Sequence, residues 1–123
     1  MEPGQIILYG LLVVMTVLYV RKAILKSSLN NYSGTEAKKQ MKAGSILLDV
    51  RTKGERQSLS IPSSLHIPLQ ELATRMKELE NYRTREIICY CASGSRSVNA
   101  AILLKKAGFI AGNLNGGISS WSF

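Results

Sequence analysis

Ile87-Ile88-Cys89-Tyr90-Cys91-Ala92-Ser93-Gly94-Ser95-Arg96-Ser97-Val98 is the stretch whose reading decides the fold. Its first five residues form a strand-like run, and a helix-like run starts near Val98. Between them lies the loop Cys91-Ala92-Ser93-Gly94-Ser95-Arg96, which places one thiol at the carboxyl end of a strand. Small residues let the backbone amides of such a turn point inward at whatever the sulfur carries. A helix opening at Ser97 aims its positive dipole end at the same point. Nearby cations and helix N-termini lower a cysteine's pKa and expose a thiolate at neutral pH. Most unpaired cysteines are small buried hydrophobes. Packing alone, however, requires neither the conformational freedom of Gly94 nor the fixed charge of Arg96. The loop therefore reads as the setting of a nucleophile.

Working outward, helix and strand patterns alternate from Ser33 onward. Thr35 to Lys42 is expected to be a helix closed by Gly44, with Ser33 or Thr35 as its N-cap. Ile46 to Val50 reads as a short buried strand carrying Asp49 and Arg51 at its carboxyl end. Leu65 to Ile67, bracketed by Pro62 and Pro68, reads as another. Leu69, Leu72, Met76 and Leu79 recur at helical spacing and form one apolar stripe. A helix containing Val98, Ala101, Ile102 and Leu104 follows the cysteine loop and ends at Gly108. A last strand near Ile110 to Leu114 leads through Gly116-Gly117 into a short terminal helix holding Trp121. This alternation specifies an α/β fold with a mainly parallel central sheet flanked by helices. Ligands of such sheets bind beyond the carboxyl ends of the strands, where Cys91 and Asp49 both fall.

The N-terminal stretch has a different character. Ile6 to Val20 contains no charged residue and spans about 22 Å as a helix, short of the ~30 Å hydrocarbon core. Continuing through Arg21 and Lys22 to Leu25 gives a sufficient length, with the two basic side chains reaching the headgroups. Residues 1–25 are accordingly expected to be a transmembrane anchor, residues 26–32 a polar tether and residues 33–123 the folded domain. The net charge is +8, and all 16 basic side chains follow Val20, whereas Glu2 alone among charged residues precedes it. That asymmetry opposes a cleaved signal peptide and places the domain on the cytoplasmic side. It also fits attraction to an anionic leaflet. No basic stripe interleaved with aromatics indicates nucleic acid.

Four motifs in fixed order resemble the rhodanese-like domain. They are Leu47-Leu48-Asp49-Val50-Arg51-Thr52, Ile61 to Leu69 (Ile-Pro-Ser-Ser-Leu-His-Ile-Pro-Leu), Cys91 through Ser97, and Gly108-Phe109 with Asn115-Gly116-Gly117-Ile118 and Trp121. The resemblance implies a sulfurtransferase fold with Cys91 as the catalytic residue carrying a persulfide. It also implies an anion-binding loop of Ala92, Ser93, Gly94, Ser95, Arg96 and Ser97. Asp49, Arg51 and Glu55 would support that loop, with Glu55 as the expected partner of Arg96 and Asp49 as a second candidate. The implied partners are a small sulfur anion such as thiosulfate and an acceptor thiol or cyanide, with no cofactor. Three positions depart from the family pattern. Leu59-Ser60 stands where a Gly-His pair is usual, Ser63-Ser64 replaces Gly-Ala, and Arg56 replaces an aromatic. These positions flank the family's active site and bear on substrate preference.

Cys89 and Cys91 lie on one strand, so a disulfide between them would be strained. Cys89 reads as core, although it shares a face with Cys91 and a resolving role is conceivable. His66, the single histidine, reads as a loop or strand-edge residue, and ligand spacing for a metal is lacking. Two rival readings remain. One is a phosphatase or arsenate reductase, whose cysteine loop is one residue longer and usually preceded by histidine. The other is a non-catalytic relay or binding module beside a membrane partner.

Overall fold

The computed structural model describes residues 2–123. Helix α1 (Pro3–Ser27) is followed after two residues by strand β1 (Asn30–Tyr32) and helix α2 (Gly34–Lys42). Strand β2 (Ile46–Asp49), helix α3 (Lys53–Ser58), strand β3 (Leu65–His66) and helix α4 (Leu69–Arg75) come next. A 3-10 segment (Met76–Tyr82), strand β4 (Ile87–Tyr90), helix α5 (Ser95–Lys106), strand β5 (Ala111–Leu114) and a 3-10 turn (Gly117–Ser120) complete the chain. The five strands form one wholly parallel sheet in the order β1-β5-β4-β2-β3. The expected α/β architecture is therefore the observed one.

Both faces of the sheet are covered, so its central strands are buried throughout rather than alternating. Strand period sends Ile87, Cys89 and Cys91 toward the core beneath α4 and α5, with Leu48, Leu72 and Leu104. It sends Ile88 and Tyr90 to the opposite core, with Ala37, Leu47, Ile61 and Leu114. Burying each such aliphatic side chain stabilises the fold by about 1.5–3 kcal/mol. The same alternation fixes which way Cys91 faces.

Several elements differ from the sequence reading. The polar stretch 26–32, expected as a tether, instead splits between the end of α1 and β1, which pairs with β5 at the sheet edge. Asn-Asn-Tyr carries no apolar alternation because an edge strand is held chiefly by its backbone ladder. The apolar stripe from Leu69 to Leu79 begins as α4 and tightens into the 3-10 segment. Trp121 lies just after the last 3-10 turn rather than within it. Helix α5 opens at Ser95, two residues before the expected Ser97, with Gly94 as its left-handed N-cap at φ 112°. Helix α3 has no counterpart in the sequence reading. Its signal was the capping box, in which the Thr52 hydroxyl accepts from Glu55 N–H and the Glu55 carboxylate accepts from Thr52 N–H.

Helix α1 is apolar and long enough to cross a membrane, and its candidate span Pro3–Lys26 is unburied by the domain. Its last turn packs against the domain, with Leu25 joining the α5-side core.

Candidate active site

Strand β4 delivers Cys91 to the carboxyl edge of the sheet at its centre, and α5 begins four residues later. Because the loop turns so tightly, amides of the loop and of the first helical turn converge on the sulfur. Gly94 N–H donates to Cys91 Sγ at 3.0 Å, and Ser97 Oγ lies 3.5 Å from it. Burial pushes the Cys91 thiol up, but the hydroxyl and amide of Ser97 and the amides of Gly94 and Ser93 outweigh it. The thiol is held below its ordinary value. Cys91 is only 1% exposed, whereas Ser93 and Ser95 stand exposed above it and Ala92 is half-buried. The sulfur thus sits under its own loop.

A second glycine turn closes the floor. Ile118 N–H donates to Cys91 O at 2.9 Å, which places Gly117 directly against the loop. A Cβ at Gly117 would lie 2.4 Å from Cys91 O and 2.6 Å from Ala92 O, and its φ of +63° also favours glycine.

Arg96 projects from the first turn of α5 to Glu55 on α3. Its two terminal nitrogens donate to the Glu55 carboxylate at 2.7 and 2.9 Å, a bidentate pair. Chiefly through this Arg96 contact, the Glu55 carboxyl is lowered to about 2, and the pair raises Arg96 in turn. Arg96 is thereby tied to α3, and the Cys91 sulfur nearby raises it further.

Asp49 does not reach Arg96. Fully buried, it accepts from the Arg51 backbone N–H at 2.9 Å, from Arg51 Nε and Nη2 at 3.0 Å each, and from the Tyr90 hydroxyl at 3.2 Å. Arg51 Nη2 goes on to donate to Leu59 O at 2.5 Å. Asp49 and Arg51 thus anchor the loop after α3 rather than the sulfur loop. Arg56, where the family pattern has an aromatic, donates to Ser64 Oγ at 2.6 Å and Ser64 O at 2.7 Å. Two departures from the pattern are therefore one interaction. His66 Nε2 lies 2.8 Å from Arg51 O, a structural contact. Burial and the neighbouring Cys91 push the Cys89 thiol far up, and Cys89 is wholly buried, as a packing residue is. Among the described residues no group of three or more His, Cys, Asp or Glu side chains could hold a metal ion.

The sequence reading missed two asparagines. Ser97 Oγ donates to Asn113 Oδ1 at 2.5 Å, and Asn113 Nδ2 donates to Asn31 Oδ1 at 3.1 Å. Asn31 Nδ2 donates in turn to Leu29 O at 3.3 Å. The sole available signal was a polar residue, Asn113, inside an otherwise buried strand; its partner became visible only with the register of β1 on β5.

A wholly parallel α/β domain, covered on both faces, thus presents one lowered thiol in an amide-lined turn at its carboxyl edge. The chain belongs to the rhodanese-like domain family, whose model matches residues 33–123. It is 36% identical over 78 residues to a sulfurtransferase of Allochromatium vinosum, covering 63% of this chain and 71% of that protein. A match of 44% identity over 63 residues to the putative sulfur carrier protein YrkF of Bacillus subtilis covers 51% of this chain and only 33% of the relative. Among solved structures, a rhodanese-related protein from Thermoplasma volcanium superposes with TM-score 0.69 at 34% identity, covering 75% of this chain and 89% of that one.

Proposed function

We propose that this chain is a membrane-anchored sulfurtransferase that moves a sulfane sulfur from thiosulfate or a persulfide donor to a thiol or cyanide through a Cys91 persulfide. The observation that carries the reading is the convergence of the Ser93, Gly94 and Ser97 amides and the Ser97 hydroxyl on one sulfur. In the first step the Cys91 thiolate attacks the outer sulfur of thiosulfate. The thiosulfate S–S bond breaks, and sulfite leaves with its electron pair. In the second step an acceptor thiolate or cyanide attacks the outer sulfur of the persulfide, and the Cys91 thiolate leaves. Splitting the transfer in this way predicts ping-pong kinetics. The amide cradle stabilises thiolate and persulfide anion alike with preorganised donors. In this reading helix α1 holds the domain at the bilayer, and the basic residues after Val20 support a cytoplasmic orientation.

Mass spectrometry of the intact protein after thiosulfate treatment tests the reading. A gain of one sulfur on Cys91, discharged by added thiol and absent in Cys91→Ser, is the expected result. No gain in the native chain would refute thiosulfate as donor. A gain retained by Cys91→Ser would refute Cys91 as carrier. The match to a putative sulfur carrier supports a second reading, a relay loaded only by another protein's persulfide. Loading by a protein persulfide but not by thiosulfate separates the two.

A further inference from the structure

The joint between α1 and the domain has almost no slack. Only Ser28 and Leu29 separate α1 from β1, and Leu29 is 6% exposed. Lys105 Nζ donates to both the backbone oxygen and the hydroxyl of Ser28 at 3.1 Å. Asn31 is tied to Asn113 in the sheet. The direction of α1 is therefore fixed relative to the sheet.

That direction is read from two levels along α5. Near the start of α5, Val98 lines a groove of about 310 Å³ together with Ala23, Lys26, Leu29 and Asn31. Near its end, Lys105 meets Ser28. Earlier residues of α1 thus face earlier residues of α5, and the two helices run in the same sense. Helix α5 starts at the Cys91 loop and runs away from it, so α1 does too. Followed toward its N-terminus, α1 passes the carboxyl edge of the sheet and continues beyond it.

Val98 lies three residues, about 4.5 Å of helix, below Ser95. The same climb from Ala23 along α1 reaches Val20 and Arg21. Arg21 and Lys22 therefore stand level with the sulfur loop, and the uncharged run Ile6 to Val20 begins where that loop ends. In a bilayer the two basic side chains take the headgroup level. The exposed rim of the site, Ser93 and Ser95, then meets the membrane surface instead of the open solvent.

We infer that the Cys91 loop opens against the bilayer surface and that its sulfur acceptor is an amphiphilic thiol held at headgroup depth. This rests on the reading of α1 as a bilayer helix and of Cys91 as a sulfur carrier. A thiol confined to the same leaflet is presented at an effective concentration of order millimolar, which a dilute aqueous thiol does not match. Its thiolate attacks the outer sulfur of the Cys91 persulfide, forms the amphiphile's persulfide and releases the Cys91 thiolate. No further reactant is required.

The test uses the full chain in phosphatidylcholine vesicles containing phosphatidylthioethanol, with 2-mercaptoethanol at equal bulk concentration as the aqueous comparison. A second form carries a Gly/Ser insertion of about 20 residues between Ser28 and Leu29, which lets the domain turn freely. After thiosulfate loading, the native chain is expected to serve the lipid thiol about tenfold faster than 2-mercaptoethanol. The insertion should cut the lipid rate several-fold and leave the aqueous rate unchanged. Alkylation of Cys91 by a lipid bearing an iodoacetyl headgroup, read by mass spectrometry, should show the same dependence without any sulfur chemistry. Equal rates for the two thiols, or a lipid preference indifferent to the insertion, would overturn the inference. Failure of the chain to float with the vesicles would overturn it together with the anchor. Insertion-sensitive alkylation without transfer to either thiol would leave the orientation standing, overturn the acceptor, and sink the sulfurtransferase reading.

Discussion

Replacing Ser97 with alanine isolates the hydrogen bond on which the reactivity of Cys91 depends. Ser97 has one hydroxyl proton and three acceptors within reach: Asn113 Oδ1 at 2.5 Å, Gly94 O at 3.1 Å and Cys91 Sγ at 3.5 Å. With Cys91 as a thiol, the proton serves Asn113. When the sulfur ionises, the hydroxyl can turn to the anion, leaving Asn113 Oδ1 buried and short of a donor. The Ser97 hydroxyl is the largest of the influences that lower the thiol, and burial alone would raise it. A hydrogen bond to a charged group contributes about 1.5–3 kcal/mol, and the long oxygen–sulfur distance argues for the lower end. At about 1.4 kcal/mol per tenfold, Ser97→Ala should leave roughly ten times less thiolate at any pH below the native titration. The assay is the rate of iodoacetamide alkylation of Cys91 against pH, since burial pushes the Cys89 thiol far up and keeps it protonated. The Ser97→Ala profile should move to higher pH. Asn113→Leu removes the competing acceptor and should move it to lower pH. Superimposable native and Ser97→Ala profiles would refute the reasoning, as would a shift of both variants in one direction.

Three further outcomes are expected. Gly117→Ala drives a methyl group to 2.4 Å from Cys91 O at a positive φ, so thermal unfolding should show a loss of about 1–3 kcal/mol with slower sulfur loading. Glu55, lowered to about 2 from an ordinary 4.5, contributes its pairing in full above pH 4.5 and loses it as the pH falls through about 2. Acidification from pH 7 to 5 should therefore leave the pair intact, with the amide signals of Thr52 and Glu55, which share the capping box with that carboxylate, unmoved by NMR. Glu55→Gln should shift those signals at every pH at a stability cost of about 1 kcal/mol or less, because the pair is partly exposed. Arg56→Phe restores the family's aromatic but strips donors from Ser64 and Asp49. A lowered denaturant midpoint, corresponding to a loss of about 1–3 kcal/mol of stability, is expected, and an unchanged or raised midpoint would show that the polar bracing is dispensable.

The long apolar N-terminal helix, the parallel α/β class and the cysteine turn were legible in the chain because each is written contiguously. An uncharged run, alternating periods and six consecutive loop residues need no knowledge of distant neighbours. The Glu55 partner of Arg96 was expected only through family resemblance, since 41 residues separate the two. The capping box at Thr52 and Glu55 would have placed α3 locally but said nothing of what faces it.

Tertiary structure alone decided the remainder. Strand register brought Asn31 beside Asn113 and so behind Ser97, across more than 80 residues of chain. A polar pair such as Arg56 and Ser64 acquires meaning only when a loop folds back over a strand end. The joint at Ser28, which sets how α1 leaves the domain, depends on where Lys105 arrives after the whole sheet has assembled. Sequence determines what is periodic or adjacent, because propensity and side-chain spacing act over a few residues. Which groups meet across the sheet follows from register and packing, and those minimise the energy of the assembled fold and of no single segment.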